Sequence, residues 1–316
     1  MLSTIQASRD PYFNLATEDF LLHERSEDFF ILSVNDPSVI MGKHQVAQAE
    51  INEKATTDDG LPVLRRISGG GTVFHDHGNL NFAFIRQSEE GKQVDFRYYT
   101  QPVIEFLAHL GITAVFEGKN DLTFNGKKIS GNAEHVFRER VLHHGTLLFD
   151  ASLGNMKKYL RGASDCYSTR GVPSNRTTVI NLKGILKGVG SMDELLNAMM
   201  SYFREGSPDF HQFSLTPGEM EKIRHLADER YRSWEWTWAY GPPYTFTNAF
   251  DISGKPHSCR LMVKDGIIWE SDIYGSSELE GVAKSLIGCK HMFRDILSTL
   301  LNLGIKIAEK DVNGFF

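Results

Sequence analysis

An Asn-Gly pair between two strand-like runs, in Asp121-Leu122-Thr123-Phe124-Asn125-Gly126-Lys127-Lys128-Ile129-Ser130, constrains the folding of this chain more than any other local feature. Both residues tolerate the positive φ that a two-residue type I′ turn demands, so the run is expected to form a tight β-hairpin. Pairing outward from the turn sets Thr123 opposite Lys128 and Asp121 opposite Ser130. Period two then puts these four residues on one face and Leu122 and Ile129 on the other, buried face. A lone lysine is usually a solvated charge. One displayed from a rigid strand, with a carboxylate as diagonal neighbour roughly 7–8 Å away between backbones, suits two groups holding a bound ion or phosphate between them.

The segment Arg65-Arg66-Ile67-Ser68-Gly69-Gly70-Gly71-Thr72-Val73-Phe74-His75-Asp76-His77-Gly78-Asn79 points the same way. A Ser-Gly-Gly-Gly run can curl its N–H groups around an anion, and the arginines add fixed charge and forked donors. Phosphate and carboxylate are the expected ligands. The run is neither a Walker loop, since no Gly-Lys-Ser/Thr follows, nor the dinucleotide Gly-x-Gly-x-x-Gly.

Around these segments the chain reads as mixed α/β. A helix is expected over residues 13–24 with Asn14 as its cap, then strands over 29–34 and 38–41. Leu80, Phe82 and Phe84 alternate as in a strand half-buried on one face. A helix over 99–110 ends at Gly111, and strands over 112–117 and 143–149 follow. Trp234, Trp236 and Trp238 are read as one side of a strand, packed in the core. Gly241-Pro242-Pro243 marks a linker, which divides the chain into a domain of residues 1–243 and a small α+β domain of residues 244–316. In the latter, strands with an Asp265-Gly266 turn precede helices near 279–287 and 292–303.

With 316 residues and 41% hydrophobic content the chain can bury a large core. No apolar run reaches membrane-spanning length, and Met1-Leu2-Ser3-Thr4-Ile5-Gln6 lacks the pattern of a signal peptide, so a cytoplasmic location is expected. A net charge of −6 disfavours a general nucleic-acid binder. The basic residues Lys157, Lys158, Arg161, Arg170, Arg176, Lys183 and Lys187 nevertheless stand against the single acid Asp165 between positions 155 and 190, which suits a polyphosphate or an acidic protein partner. Cys166, Cys259 and Cys289 show no Cys-x-x-Cys spacing, and an ordinary thiol is the reading for Cys166. His75 and His77 share one side of a strand without further ligands to complete a metal site. His143 and His144 face opposite ways, so that only one can face a pocket.

The glycine segment, Lys119-Asn120-Asp121, Lys128-Ile129-Ser130-Gly131-Asn132-Ala133 and His143-His144-Gly145-Thr146-Leu147-Leu148 together resemble a lipoate-protein ligase in order and spacing. The resemblance runs from Asn14-Leu15-Ala16-Thr17-Glu18 to the C-terminal domain. It implies an α/β (α+β) fold shared with biotin ligases and class II synthetases: a mixed sheet flanked by helices, with a small α+β accessory domain. It also implies ATP-dependent conversion of lipoate to lipoyl-AMP and transfer to a lysine of a lipoyl domain, in 2-oxoacid dehydrogenase complexes or the glycine cleavage H protein. Carried over by position, Lys128 is the catalytic lysine, and Arg66, Gly71, Thr72, Val73, Phe74 and Lys128 meet ATP. Ser68, Gly70, His75, Lys128, Ala133 and His144 border lipoate, and Asn120 and Asp121 hold Mg²⁺. The basic stretch 159–178 resembles the family's adenylate-covering loop. A transferase of the same fold using a preformed acyl donor, and a non-catalytic lipoate- or nucleotide-binding protein, are the alternatives.

Overall fold

The computed structural model describes residues 1–88, 94–162, 165–175, 177–206, 209–252, 254–305 and 307–316. Its first helix, α1 (Pro11–Glu24), is capped by Asp10, whose carboxylate accepts from Tyr12 N at 3.0 Å. Pro11 occupies the first helical position, where a missing N–H costs nothing. The cap expected at Asn14 is therefore corrected to Asp10, and the Asn14 side chain is left free for another use.

The strands are β1 (Leu2–Ile5), β2 (Phe29–Val34), β3 (Ser38–Met41), β4 (Val63–Arg65), β5 (Val73–His75), β6 (Asn79–Gln87), β7 (Val115–Glu117), β8 (Asp121–Phe124), β9 (Lys127–Phe137), β10 (Arg140–Leu148), β11 (Tyr167–Thr169), β12 (His211–Gln212), β13 (Tyr244–Ile252), β14 (Lys255–Lys264) and β15 (Ile267–Tyr274). The main sheet has the order β12-β1-β2-β6-β10-β9-β8-β7. Its first three strands run parallel and the others antiparallel. A small sheet, β4-β3-β5, holds both ends of the glycine segment.

Strand β6 departs from its expected half-burial. Leu80, Phe82 and Phe84 pack with Val103 and Phe106 of the helix Phe96–His109 and with Met199 and Phe203 of Met192–Glu205. Ala83 and Ile85, on the other face, pack with Leu15 and Leu21 of α1. The alternation is thus between two covered faces of a sheet sandwiched by helices, and each fully buried phenylalanine contributes about 1.5–3 kcal/mol.

The hairpin forms with Asn125 and Gly126 at φ 50° and 69°, as a type I′ turn requires. Thr123 pairs with Lys128, and Leu122 and Ile129 are fully buried. The pairing of Asp121 with Ser130 does not occur. A bulge between Leu122 and Thr123 shifts the register, so that Leu122 faces Ser130 and Asp121 faces Gly131.

The tryptophan segment is helical, not a strand: Glu235–Ala239 forms a π-helical turn. Its carbonyls find their partner in the buried Arg65, which donates to the oxygens of Trp236 and Thr237 at 3.0 Å each. The indoles therefore fan out. Trp236 Nε1 donates to Arg65 O at 2.7 Å, while the Lys290 ammonium lies 4.0 Å from the Trp234 ring centre.

Residues 244–316 build a sheet of β13, β14 and β15 over a core that includes Phe246, Leu261, Ile296 and Phe315. Asp265 and Gly266 turn it at φ 51° and 69°. Helices Ser277–Val282 and Phe293–Asn302 cover it, close to where they were expected. Strand β11, from the basic stretch, pairs with β13, which ties that stretch to the C-terminal sheet.

Candidate active site

A row of directly paired residues crosses the middle of the main sheet. Ser33 on β2 faces Asn81 on β6, which faces Thr146 on β10; Gly131 on β9 donates its N–H to the Thr146 hydroxyl at 3.4 Å and itself faces Asp121 on β8. Paired residues share a face, and strands lie about 4.8 Å apart, so the row is roughly 19 Å long. It floors a cavity open to solvent. His144 and Ala133, paired two positions along the same face, complete the floor. The walls come from Asn14, Leu15 and Glu18 of α1 and from Arg66, Gly71, Thr72, Val73 and His75 of the glycine segment.

At the β8 end, Lys128 Nζ lies 2.7 Å from Asp121 Oδ1, with both side chains largely buried. Gly131 makes the room: a Cβ there would stand 3.0 Å from Lys128 Nζ. The Lys128 backbone is clamped on its outer side, donating to Thr178 O at 2.9 Å and accepting from Ile180 N at 3.0 Å. Asn120 is fixed by reciprocal bonds with Asn132: its Nδ2 donates to Asn132 O, and its own carbonyl accepts from Asn132 N and Nδ2, each at 3.0 Å.

Arg66 braces the glycine run. Its Nε donates to Ser68 Oγ at 3.0 Å, Nη1 to Ile40 O at 3.2 Å, and Nη2 to the carbonyls of Gly69 and Gly71. Of five guanidinium hydrogens, one on Nη1 is left for a substrate oxygen. Burial lowers its pKa to about 10, so it stays charged at neutral pH. Gly70, at φ 86°, is required here, because a Cβ would meet Arg66 Nη2 at 2.9 Å.

His144 stands between α1 and this brace. Its Nδ1 lies 2.6 Å from Glu18 Oε2 and its Nε2 lies 2.6 Å from Ser68 Oγ. With the Glu18 carboxylate as acceptor at Nδ1, an imidazole carrying one hydrogen holds it there, and its Nε2 accepts from the Ser68 hydroxyl, which in turn accepts from Arg66. The result is a continuous chain from α1 to the glycine run.

Of the residues singled out in sequence, Arg66, Gly71, Thr72, Val73, His75, Asn120, Asp121, Lys128, Ala133 and His144 line this one cavity. Ser68 is fully buried behind it and acts on it through His144 and Arg66. Gly70 does not line it, although its Cβ position would lie 3.8 Å from Ala133. Phe74 does not line it either; its ring stacks on Tyr159 with centres 5.7 Å apart. His77 pairs with Asp36 at 2.8 Å, away from His75. Cys166, Cys259 and Cys289 all pack with the C-terminal core. Ser33, Asn81 and Thr146 were missed; only Ser33 carried a signal, as the polar residue of an otherwise apolar β2. Ser174 was missed too: its Oγ accepts from Thr72 N at 2.9 Å and from Gln45 Nε2 at 3.1 Å and donates to Glu50, laying the basic stretch over the glycine run.

That stretch is less charged than its composition implies. Lys158 pairs with Asp59 and Lys183 with Asp150, while Arg161 stacks on Tyr167. Arg176 lies outside the described residues.

Among the described residues no three His, Cys, Asp or Glu side chains cluster as a metal cage. One carboxylate and one amide at the β8 end fit magnesium, which keeps waters and takes most of its other oxygens from phosphates. Among the described residues no helix is long and apolar enough to cross a membrane.

Residues 10–204 match the family model of the lipoyl protein ligase A/B catalytic domain. Lipoate-protein ligase LplJ of Bacillus subtilis is 31% identical over 304 residues, covering 94% of this chain and 92% of the relative. A solved lipoate-protein ligase A bound with ATP superposes with a TM-score of 0.62 at 28% identity, over 75% of this chain and 96% of that one. The bipartite lipoate protein ligase of Thermoplasma acidophilum, solved in a study with its E2 lipoyl domain, gives a TM-score of 0.64 at 25% identity, over 75% and 96%. The chain is thus an ATP-dependent enzyme, and it belongs to the lipoate-protein ligase family.

Proposed function

We propose that the cavity binds lipoate with its carboxylate toward Lys128 and its ring toward β2, and that ATP enters over Gly71, Thr72 and Val73. The lipoate carboxylate attacks the α-phosphorus and pyrophosphate leaves. The amine of an acceptor lysine then attacks the acyl carbon and AMP leaves. The observation that carries this reading is the Lys128–Asp121 pair at one end of a cavity five strands long. A free carboxylate is a poor electrophile, and an ammonium fixed between carbonyl and phosphate oxygens offsets the charge that develops in both steps. Arg66 keeps the glycine carbonyls turned away from the nucleotide and has one hydrogen to offer it. Asn120 and Asp121 would hold Mg²⁺, which when bound neutralises charge on the phosphates. Ser174 and Asn175 come from the stretch that covers the site, consistent with exclusion of water from a hydrolysable adenylate. Acceptors on this reading are lipoyl domains of 2-oxoacid dehydrogenase complexes or the glycine cleavage H protein, in the cytoplasm. Residues 1–243 form the catalytic domain and 244–316 the accessory one.

Lipoate-dependent exchange of label between pyrophosphate and ATP tests this. Lys128→Ala should lower the exchange rate by about a hundredfold to a thousandfold. A folded variant with an unchanged rate removes Lys128 from the chemistry. No cysteine among the described residues lines the cavity, which disfavours transfer through a thioester.

A further inference from the structure

At the β2 end of the cavity, three polar atoms have no partner: His75 Nε2, Asn81 Nδ2 and Asn14 Oδ1. All three residues are more than nine-tenths buried, and all line the cavity. The hydrogen-bond direction at His75 can be read from a fixed point. Ser8 O can only accept, so the Asn14 amide nitrogen is turned toward it at 3.0 Å, and it also donates to Asn35 Oδ1 at 2.8 Å. The other end of the Asn35 amide, Nδ2, is then the donor to His75 Nδ1 at 3.0 Å. A neutral imidazole that accepts at Nδ1 carries its hydrogen on Nε2. Burial, reinforced by Arg66 and His144, pushes the imidazole pKa down to about 3, so the ring is neutral throughout the working range. His75 therefore presents an unpaired N–H at the end of the cavity remote from Lys128.

We infer that this N–H, together with Asn81 Nδ2 on the floor, recognises a hydrogen-bond-accepting terminus on the acyl substrate, the sulfur pair of the dithiolane ring, and that Asn14 and Asn35 are positioning residues that set the tautomer. The inference rests on the ligase reading of the cavity. An eight-carbon chain without sulfur would leave the buried donor unpaired, whereas ring sulfur accepts it weakly. The chamber is accordingly a selective one and not a dry hydrocarbon slot.

Pyrophosphate exchange measured with lipoate and with octanoate gives both kcat/KM values in one protein. Wild type should favour lipoate by about tenfold, the consequence of one buried unpaired donor. His75→Phe should bring the ratio to within about twofold, with exchange on octanoate showing that the variant is folded. Asn35→Leu carries the same comparison if His75→Phe does not fold. Imidazole ¹⁵N spectra read the tautomer independently: Nε2 protonated in wild type, and a mixture of tautomers in Asn35→Leu. An unchanged ratio in folded His75→Phe, or a hydrogen on Nδ1 in wild type, overturns the proposal. Exchange with neither acid in folded wild type is the different failure of the ligase reading, and takes the proposal with it.

Discussion

His143 and His144 are neighbours in sequence, and each sets Nδ1 against a glutamate, at 2.8 Å from Glu134 and 2.6 Å from Glu18. Period two sends them to opposite faces of β10, and everything else about them differs. His144 lines the cavity and passes its contact on through Ser68 to Arg66. His143 is sealed between Tyr99, at 5.1 Å between ring centres, and Phe82, and neither its Nε2 nor Glu134 Oε2 has a partner. The same pair of residue types is a connecting strut on one face and a buried polar inclusion on the other. What separates the two is the second nitrogen: only a histidine bonded at both ends transmits position.

The comparison breaks first at His144. His144→Phe removes the strut and leaves the Glu18 carboxylate without its partner, which costs about 2–3 kcal/mol where a charged group is buried, while Ser68 keeps only its bond from Arg66. If the strut holds Arg66 and the glycine run in their reacting geometry, kcat/KM for adenylation falls about thirtyfold to a hundredfold. A loss confined to thermal stability, with kcat/KM intact, would reduce His144 to the status of His143. Glu18→Gln is milder, because an amide oxygen still accepts from Nδ1 while the charge is lost. A fall of about threefold to fivefold in kcat/KM is expected, and steady-state exchange kinetics would resolve it.

The opposite orientation of the two histidines was legible in the sequence, since alternation is a local property of any strand. The Asn125-Gly126 hairpin was legible for the same reason. Its bulge was not: Asp121 finds Gly131 because Gly131 leaves room for the Lys128 ammonium, and no local pattern encodes that contact. The row from Ser33 to Asp121 unites strands far apart in sequence, so its members looked like unrelated polar residues. Asn14 reads as a cap because Asn is a good one; Asp10 followed by Pro11 is better still. The tryptophans alternated as in a strand, but Arg65, remote in sequence, accounts for their carbonyls. The identities of the reacting residues came from resemblance, and the structure adds that all but Ser68, Gly70 and Phe74 line one cavity.

The smallest effect should come from Glu134→Gln, and it should appear in stability alone. Burial, with Asp95 adding to it, pushes the Glu134 carboxyl up to about 8, while burial pushes His143 down to about 3. A raised carboxyl favours the folded state fully below its unfolded value and loses that contribution as pH rises through about 8. A depressed imidazole contributes above its unfolded value and loses that contribution as pH falls toward about 3. The two windows leave the pair most favourable between about pH 4.5 and 6.5, as a neutral acid donating to a neutral ring. Glutamine donates the same bond to Nδ1 and cannot ionise. Calorimetry should therefore find that wild-type Tm falls by a few degrees more than that of the variant between pH 5 and pH 8, while the acid-side loss from His143 persists in both. Exchange activity at pH 6 should stay within about twofold of wild type, because neither His143 nor Glu134 lines the cavity. If activity instead falls as far as in His144→Phe, the two faces are coupled, and a second bonded nitrogen is not what distinguishes the strut from the inclusion.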